Sequence, residues 1–304
     1  MTSTPASHRE QAKSGALAAA LCYFLWGLVP LYWKQLGAIN SLELIAHRHV
    51  WSLVLLAGLI GVQGGFAAVA AALRTPRSAG THFLSATLLT ANWLVYVWGV
   101  NTGHVIETSL GYFLVPLVNV AAGHFVLHEH LRRVQWIAIA FAATGVAVMI
   151  AQLGRPPWIA LVLAATWGGY SLMRKQSSLG AMAGLTAETL LLAPLALGFL
   201  AWQHHTGAGA LGRVDLRTHL LVLSAGVVTA IPLLLFAYGA RRIRLSTLGL
   251  LQYLAPSVQL AIGIWVYHEP FSRGRILGFA FIWTALAAYT ADNLLAQRRG
   301  AAPG

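Results

Sequence analysis

Charge is what this sequence has least of: only 9% of its 304 residues are Asp, Glu, Lys or Arg. A soluble domain carries roughly a quarter, so this chain is not built to face water on all sides. Acidic residues are the scarcest, 8 against 20 Lys and Arg, and the net charge is +12. In a soluble protein that balance points to nucleic acid. Here the basic residues sit in short connections between apolar runs, where membrane topology accounts for them, and no nucleic-acid partner is expected. Cysteine is nearly absent. The single Cys22 cannot form an internal disulfide, and inside an apolar helix it reads as a packing residue. It follows a basic tail as a lipoprotein cysteine would, but that signal wants a small residue just before it, and Leu21 is not small. A cleaved signal peptide is disfavoured as well, because the run from Gly15 to Trp33 carries Trp26 and Pro30 and has a counterpart later in the chain. Walker and GxGxxG phosphate loops are missing, which argues against an ATP-driven pump. HEH at 128–130 lacks HExxH spacing and His204-His205 has no third ligand nearby, so neither a metal nor a cofactor is expected.

Long apolar runs are what the chain has in abundance. Ten segments, at 15–34, 42–61, 80–100, 106–127, 134–152, 157–174, 184–202, 219–240, 246–267 and 274–293, are each about as long as a helix needs to cross a ~30 Å hydrocarbon core. The expected fold is all-α: a polytopic membrane protein of ten transmembrane helices in two inverted five-helix repeats. Residues 1–14 read as a tail, 15–152 as the first repeat, 157–293 as the second and 294–304 as a closing basic tail. Thirteen of the 20 Lys and Arg fall on one set of alternate connections and six on the other, with Arg48 inside a span. The excess places both termini in the cytoplasm.

The repeat rests on paired motifs. Trp26-Gly27 matches Trp167-Gly168, Trp98-Gly99 matches Tyr238-Gly239, and TSLG at 108–111 matches STLG at 246–249. From Pro116 onward the offset is a constant 140: Tyr112, Pro116, Asn119 and Gly123 become Gln252, Pro256, Gln259 and Gly263, and His128-Glu129 recurs as His268-Glu269. Each unit holds five spans, and five is odd, so the second copy enters the membrane upside down. Inverted repeats of this kind characterise transporters that bind solute near the midplane, where the repeats meet.

Polar residues within spans are costly and need a reason. Glu43 and His47 share a face of the second span, while Arg48 points elsewhere and needs a counter-charge from another helix, with Glu107 or Glu188 as candidates. Arg48 suits an anion or carboxylate contact; the alternative is a structural ion pair. Asn92, Trp93 and Tyr96 form an amide and aromatic wall suited to an amphipathic ligand, or else hydrogen bonds between helices. The prolines of spans 4 and 9 disturb the carbonyls of Tyr112 and Gln252, so Tyr112, Asn119, Gln252, Tyr253 and Gln259 are expected around two kinks, with substrate against them in a central cavity built from spans 2, 3, 4, 8 and 9. Glu43, His47, Glu107 and Glu188 are the candidates for gating or proton coupling. Glu129 and Glu269 read as caps at turns.

Several strings, LELIAHRHVWS (42–52), NWLVYVWGVNTGHVIETSLGYF (92–113), PLVNV (116–120) and STLGLLQYLAPS (246–257), closely resemble the RarD branch of the EamA family in the drug/metabolite transporter (DMT) superfamily. The resemblance covers nearly the whole chain. It implies a ten-helix permease of the cell inner membrane that moves a small organic solute, such as an amino acid, metabolite or drug, by alternating access. Its expected partners are that solute, membrane lipids and protons as a coupling ion; monomer and dimer stay open. Two other classes stand beside it: an integral membrane enzyme or flippase acting on a lipid-linked substrate, and a non-transporting sensor. One departure from the superfamily pattern is His128, where a glycine commonly precedes the glutamate.

Overall fold

The computed structural model describes residues 5–102, 104–151, 156–266 and 273–299. Regular structure among them is helical throughout: α1 (Pro5–Trp33), a 3-10 turn (Lys34–Leu36), α2 (Ser41–Val62), α3 (Phe66–Arg74), α4 (Pro76–Asn101), α5 (Val105–Phe125), α6 (Arg133–Ala151), α7 (Trp158–Gln176), α8 (Ala181–His205), α9 (Leu216–Ala240), α10 (Leu245–Leu251), α11 (Leu254–Trp265) and α12 (Arg273–Arg299). As far as the described residues reach, nine of the ten apolar segments each fall on one helix, and the ninth, 246–267, spans two, α10 and α11. Among the described residues six stretches are long and apolar enough to cross a membrane outright, and 110–125 and 276–292 are shorter apolar helices. Leu17, Leu195 and Leu220 are among many large apolar side chains on the outer surface, where a polytopic protein meets lipid. α3 occupies the connection 62–79 because FAAVAAAL has an apolar face of its own: Val69 is buried with Ile60 and Ala187.

Helix pairing is unchanged when the first five apolar segments are exchanged for the last five. α2 packs on α8, α5 on α10 and α6 on α12; α1 packs on α9 as α7 does on α4, and α1 on α11 as α7 does on α5. The match reaches single residues. A Cβ on Gly27 would lie 2.4 Å from Val258, and one on Gly168 would lie 2.4 Å from Val118. The two valines are 140 apart in sequence, like the motifs that revealed the repeat. Only glycine permits these approaches, and close approach is how helices gain packing energy where lipid supplies no hydrophobic drive. Trp26 and Trp167 meet edge to face at 5.0 Å between these seams, at the centre of a cluster with Tyr23, Tyr170 and Phe236.

Helix starts inside a membrane expose N–H groups with no water to bind. Two of them are closed by carboxylates from the first half of the chain. Glu107 Oε1 accepts from Ile159 N at 2.8 Å at the start of α7. Glu129 accepts from Leu245 N (2.6 Å), Ser246 N (3.0 Å) and Ser246 Oγ (2.6 Å) at the start of α10. Glu129 thus caps a helix of the other half, not the turn into α6. Nearer the surface, Asn40 caps α2 and Asp215 caps α9, an interaction with Thr218 that holds the Asp215 carboxyl below its ordinary range. His268 and Glu269 lie outside the described residues.

The two proline-bearing segments differ. α5 runs unbroken through Pro116, whereas the later copy divides into α10 and α11 around Gln252 and Tyr253. There the bonds shorten to i→i+3, and Ala255 N takes the Gln252 carbonyl at 3.1 Å, the group Pro256 cannot satisfy. A helix neighbour, not a ligand, fills that vacancy.

His128 has φ +53°. That left-handed conformation crowds a Cβ against the backbone and is cheapest for glycine. Replacing His128 with Val is expected to lower stability by about 1–2 kcal/mol, while His128→Gly is expected to be neutral or stabilising. Thermal unfolding of the purified variants in detergent measures both.

Candidate functional site

A cavity of about 490 Å³ runs from the connection between α1 and α2, at Lys34, Gly37 and Ser41, down to Tyr23, Arg48, Tyr112 and Gln252. Its size falls within the usual range for small-molecule sites, about 300–1,000 Å³. One wall is an aromatic ladder. Trp33 meets Trp93 at 6.3 Å, Trp93 meets Tyr96 at 5.9 Å and Tyr96 meets Tyr112 at 5.5 Å, each pair near edge to face. The facing wall carries Trp26 and Trp167 and the α10–α11 break, with Gln252, Pro256 and Gln259. Spans 2, 3, 4, 8 and 9 were the expected walls. Spans 1 and 6 contribute instead of span 8, because the Trp26 and Trp167 seam lies at the centre while α9 packs behind α1 and α2.

Arg48 is the floor. It is 1% exposed, and none of its Nε, Nη1 or Nη2 atoms has a hydrogen-bond partner. Its guanidinium lies 4.3 Å from the centre of the Trp93 ring, an attraction that offsets part of its desolvation. Neither expected counter-charge reaches it. Glu107 is a helix cap, and Glu188 is held by Arg174 at 3.1 Å and Ser85 at 2.8 Å, with His82 at 3.8 Å. Glu43 turns outward to accept from Ala210 N at 2.6 Å, with His47 at 3.7 Å. A second void of about 20 Å³, room for about one water, lies behind Arg48 between His49 and Glu188.

The sequence-derived site residues divide into two groups. Arg48, Trp93, Tyr96, Tyr112, Gln252 and Gln259 line the cavity. Asn92, Asn119 and Tyr253 do not; each gives its donor to a neighbouring helix, while Asn92 Oδ1 and Asn119 Oδ1 have no hydrogen-bond partner among the described residues. Asn92 Nδ2 donates to Leu163 O at 2.9 Å and Thr166 Oγ1 at 3.0 Å. Tyr253 donates to Phe113 O at 3.2 Å, and Asn119 Nδ2 donates to Gln252 Oε1 at 3.3 Å. The stripe of Tyr112, Pro116 and Asn119 therefore meets the cavity only at Tyr112. Below that point Gly249 of α10 packs flush on it, with the Pro116 carbonyl 2.8 Å from where a Cβ would stand. Gly123 sits against Glu129 and the first N–H groups of α10. Sequence reasoning used Trp26 and Trp167 only as repeat markers. Their signal was depth: tryptophan favours the membrane interface, so two in mid-span, each beside a glycine, mark a lining. The residues around Glu188, namely His82, Ser85, Tyr170 and Arg174, were also passed over.

An all-α, multi-pass membrane architecture with one cation-floored aromatic cavity defines a solute-handling membrane protein. Comparison with known proteins agrees. The family model described as the EamA-like transporter family matches residues 13–151 and again 156–290, and the chain belongs to that family. A Vibrio cholerae protein described as an uncharacterized transporter is 41% identical over 288 residues, 95% of each chain. The Salmonella typhi protein RarD is 39% identical over 290 residues, 95% of this chain and 99% of that one. A solved crystal structure superimposes with a TM-score of 0.71 over 93% of this chain and 99% of its own, at 22% identity, a likeness of fold.

The two buried arginines are expected to behave in opposite ways. Glu188→Leu strands the Arg174 cation and is expected to cost about 3–5 kcal/mol. Arg48→Met removes a cation that has no partner to strand, so the melting temperature is expected to hold or rise. Detergent-phase thermal unfolding of the two variants side by side gives the comparison.

Proposed function

We propose that this protein is a secondary transporter of the cell inner membrane, moving a small organic solute by alternating access, with both termini in the cytoplasm. The observation that carries the reading is the cavity itself: aromatic on both sides, floored by an unpartnered buried guanidinium, and placed where the two repeats meet. Ten spans in two oppositely oriented sets of five fit the exchange-invariant packing and the odd number of segments per repeat. In this orientation the mouth at Lys34 and Ser41 faces outward. The opposite end is sealed where Glu129 holds α10, where Lys175 Nζ reaches the Ile243 carbonyl, and where Gly15 abuts Arg242. Rocking of one repeat against the other about the Gly27 and Gly168 seams would release that seal and close the mouth.

Proton coupling belongs to the same reading. Two of the three candidate carboxylates stand beside a histidine, Glu43 with His47 and Glu188 with His82, and these pairs are the proposed carriers. Glu107 is better assigned to holding α7. An enzyme acting on a lipid-linked substrate would need an acid/base or nucleophile cluster at the reacting centre. Among the described residues no Asp, Glu, His or Cys lines the cavity.

Reconstituted protein tests the proposal. Proteoliposomes are expected to accumulate a labelled solute from a panel of amino acids, metabolites and drugs, recovered chemically unchanged. Arg48→Ala and Tyr112→Ala are each expected to reduce the initial rate at least about tenfold with unchanged protein yield, roughly 1.4 kcal/mol or more of lost interaction. Uptake at the wild-type rate in both variants removes this cavity as the site. Accumulation indifferent to collapse of the proton gradient removes the coupling.

A further inference from the structure

Chemistry in the cavity narrows the class of solute. Burying a guanidinium without a partner is costly, and all three Arg48 nitrogens lack one. No carboxylate lines the cavity among the described residues. The acidic groups nearest in the fold are committed elsewhere: Glu43 to Ala210 and His47, Glu188 to Ser85 and Arg174, Glu107 to Ile159. Water can solvate the guanidinium in the cavity, but only a ligand can bring it a negative charge there. Gln252 reinforces the point. Its Oε1 accepts from Asn119, which leaves its Nε2 hydrogens as donors. Gln259 Nε2 is bound to the Trp26 carbonyl at 3.3 Å.

Charge count and shape set the rest. One guanidinium at the floor matches one carboxylate in its planar fork; a phosphate dianion is ordinarily held by several cations, and the cavity's other cation, Lys34, stands at the mouth. Above the floor the lining is ring after ring: Trp26, Trp33, Trp93, Trp167, Tyr96 and Tyr112. Rings arranged edge to face leave slots for another flat ring. An ammonium group would find no anion here and would meet the repulsion of Arg48.

We propose that the cavity is a site for aromatic monocarboxylates: a one- or two-ring body between the tryptophan walls and a single carboxylate on Arg48. The inference deepens the transporter reading and rests on the same cavity. It separates a simple aromatic acid from the corresponding amino acid, since no carboxylate in the lining pairs with the α-ammonium and the ring faces offer it only a cation–π contact, against the repulsion of Arg48. The acid lacking it is expected to bind at least as tightly.

Binding to the purified full-length protein, read by isothermal titration calorimetry and by ligand-induced thermal shift, tests this with four matched probes. They are indole-3-propionate, its amide, tryptophan and tryptamine. Indole-3-propionate is expected to bind at least about tenfold more tightly than the uncharged amide, to equal or exceed tryptophan, and to exceed tryptamine by more. Arg48→Gln is expected to erase the preference of acid over amide, and Arg48→Lys to keep part of it. The proposal is overturned if the amide or tryptamine binds as well as the acid, if Arg48→Gln retains the preference, or if none of the four binds at millimolar concentration. The wild-type ranking decides even where a variant fails to fold. Because the measurement is binding alone, it stands apart from transport. Acid-selective binding without accumulation in proteoliposomes sinks the transporter reading and leaves the anion site. Accumulation of solutes without acid selectivity does the reverse.

Discussion

Everything in this fold answers to one constraint: inside hydrocarbon each polar group must find its partner within the protein. The chain meets it with few charges, so each is placed where it settles several atoms at once. Glu129 takes three hydrogen bonds at the head of α10. Glu188 gathers Ser85 and Arg174. Glu107 closes α7, and Arg132 binds Asp292 through two nitrogens at the far end of α6 and α12. Against that background a buried residue left unserved stands out. Arg48 is such a residue, and it lies at the bottom of a cavity.

Packing puts it there. Glycines at matched positions let α1 and α7 press against the paired valines of α11 and α5, which brings Trp26 and Trp167 together at the centre. On one side of that contact the helices close; on the other they splay, and the aromatic ladder from Trp33 to Tyr112 fills one edge of the gap. The α10–α11 break then lets Gln252, Pro256 and Gln259 present themselves along the opposite edge. Repeat symmetry is kept in helix pairing and broken in polar detail: where the first copy has Tyr112 and a continuous helix, the second has Gln252 and a turn.

Much of this was legible in the residues. Composition and run length gave the helical membrane class, paired motifs gave the repeat, and span rarity singled out Arg48. Glu107 was less legible. A carboxylate near a span end looks the same in sequence whether it moves protons or caps a helix, and only the position of Ile159, 52 residues away, tells them apart. Asn92 and Asn119 share the problem, since an amide within a span fits a ligand and a neighbouring carbonyl equally well. The split of the ninth apolar segment escaped because Pro116 and Pro256 sit in equivalent strings. What differs is the surrounding packing, not the local pattern. His128 was visible as a departure, and its meaning emerged with its backbone angle.

The carboxylates that cross from one half of the chain to the other also impose an order on assembly. When α5 enters the membrane during synthesis, Glu107 has no helix start to bind until α7 follows, and Glu129 waits for α10. Until α7 and then α10 are made, the nascent first half lacks these two contacts, and its final packing waits for them. The inter-half caps act as a checkpoint on completeness: a chain cut short before Leu245 keeps an unanswered carboxylate at the base of α5. Such a chain is marked as unfinished by the group that would have closed it.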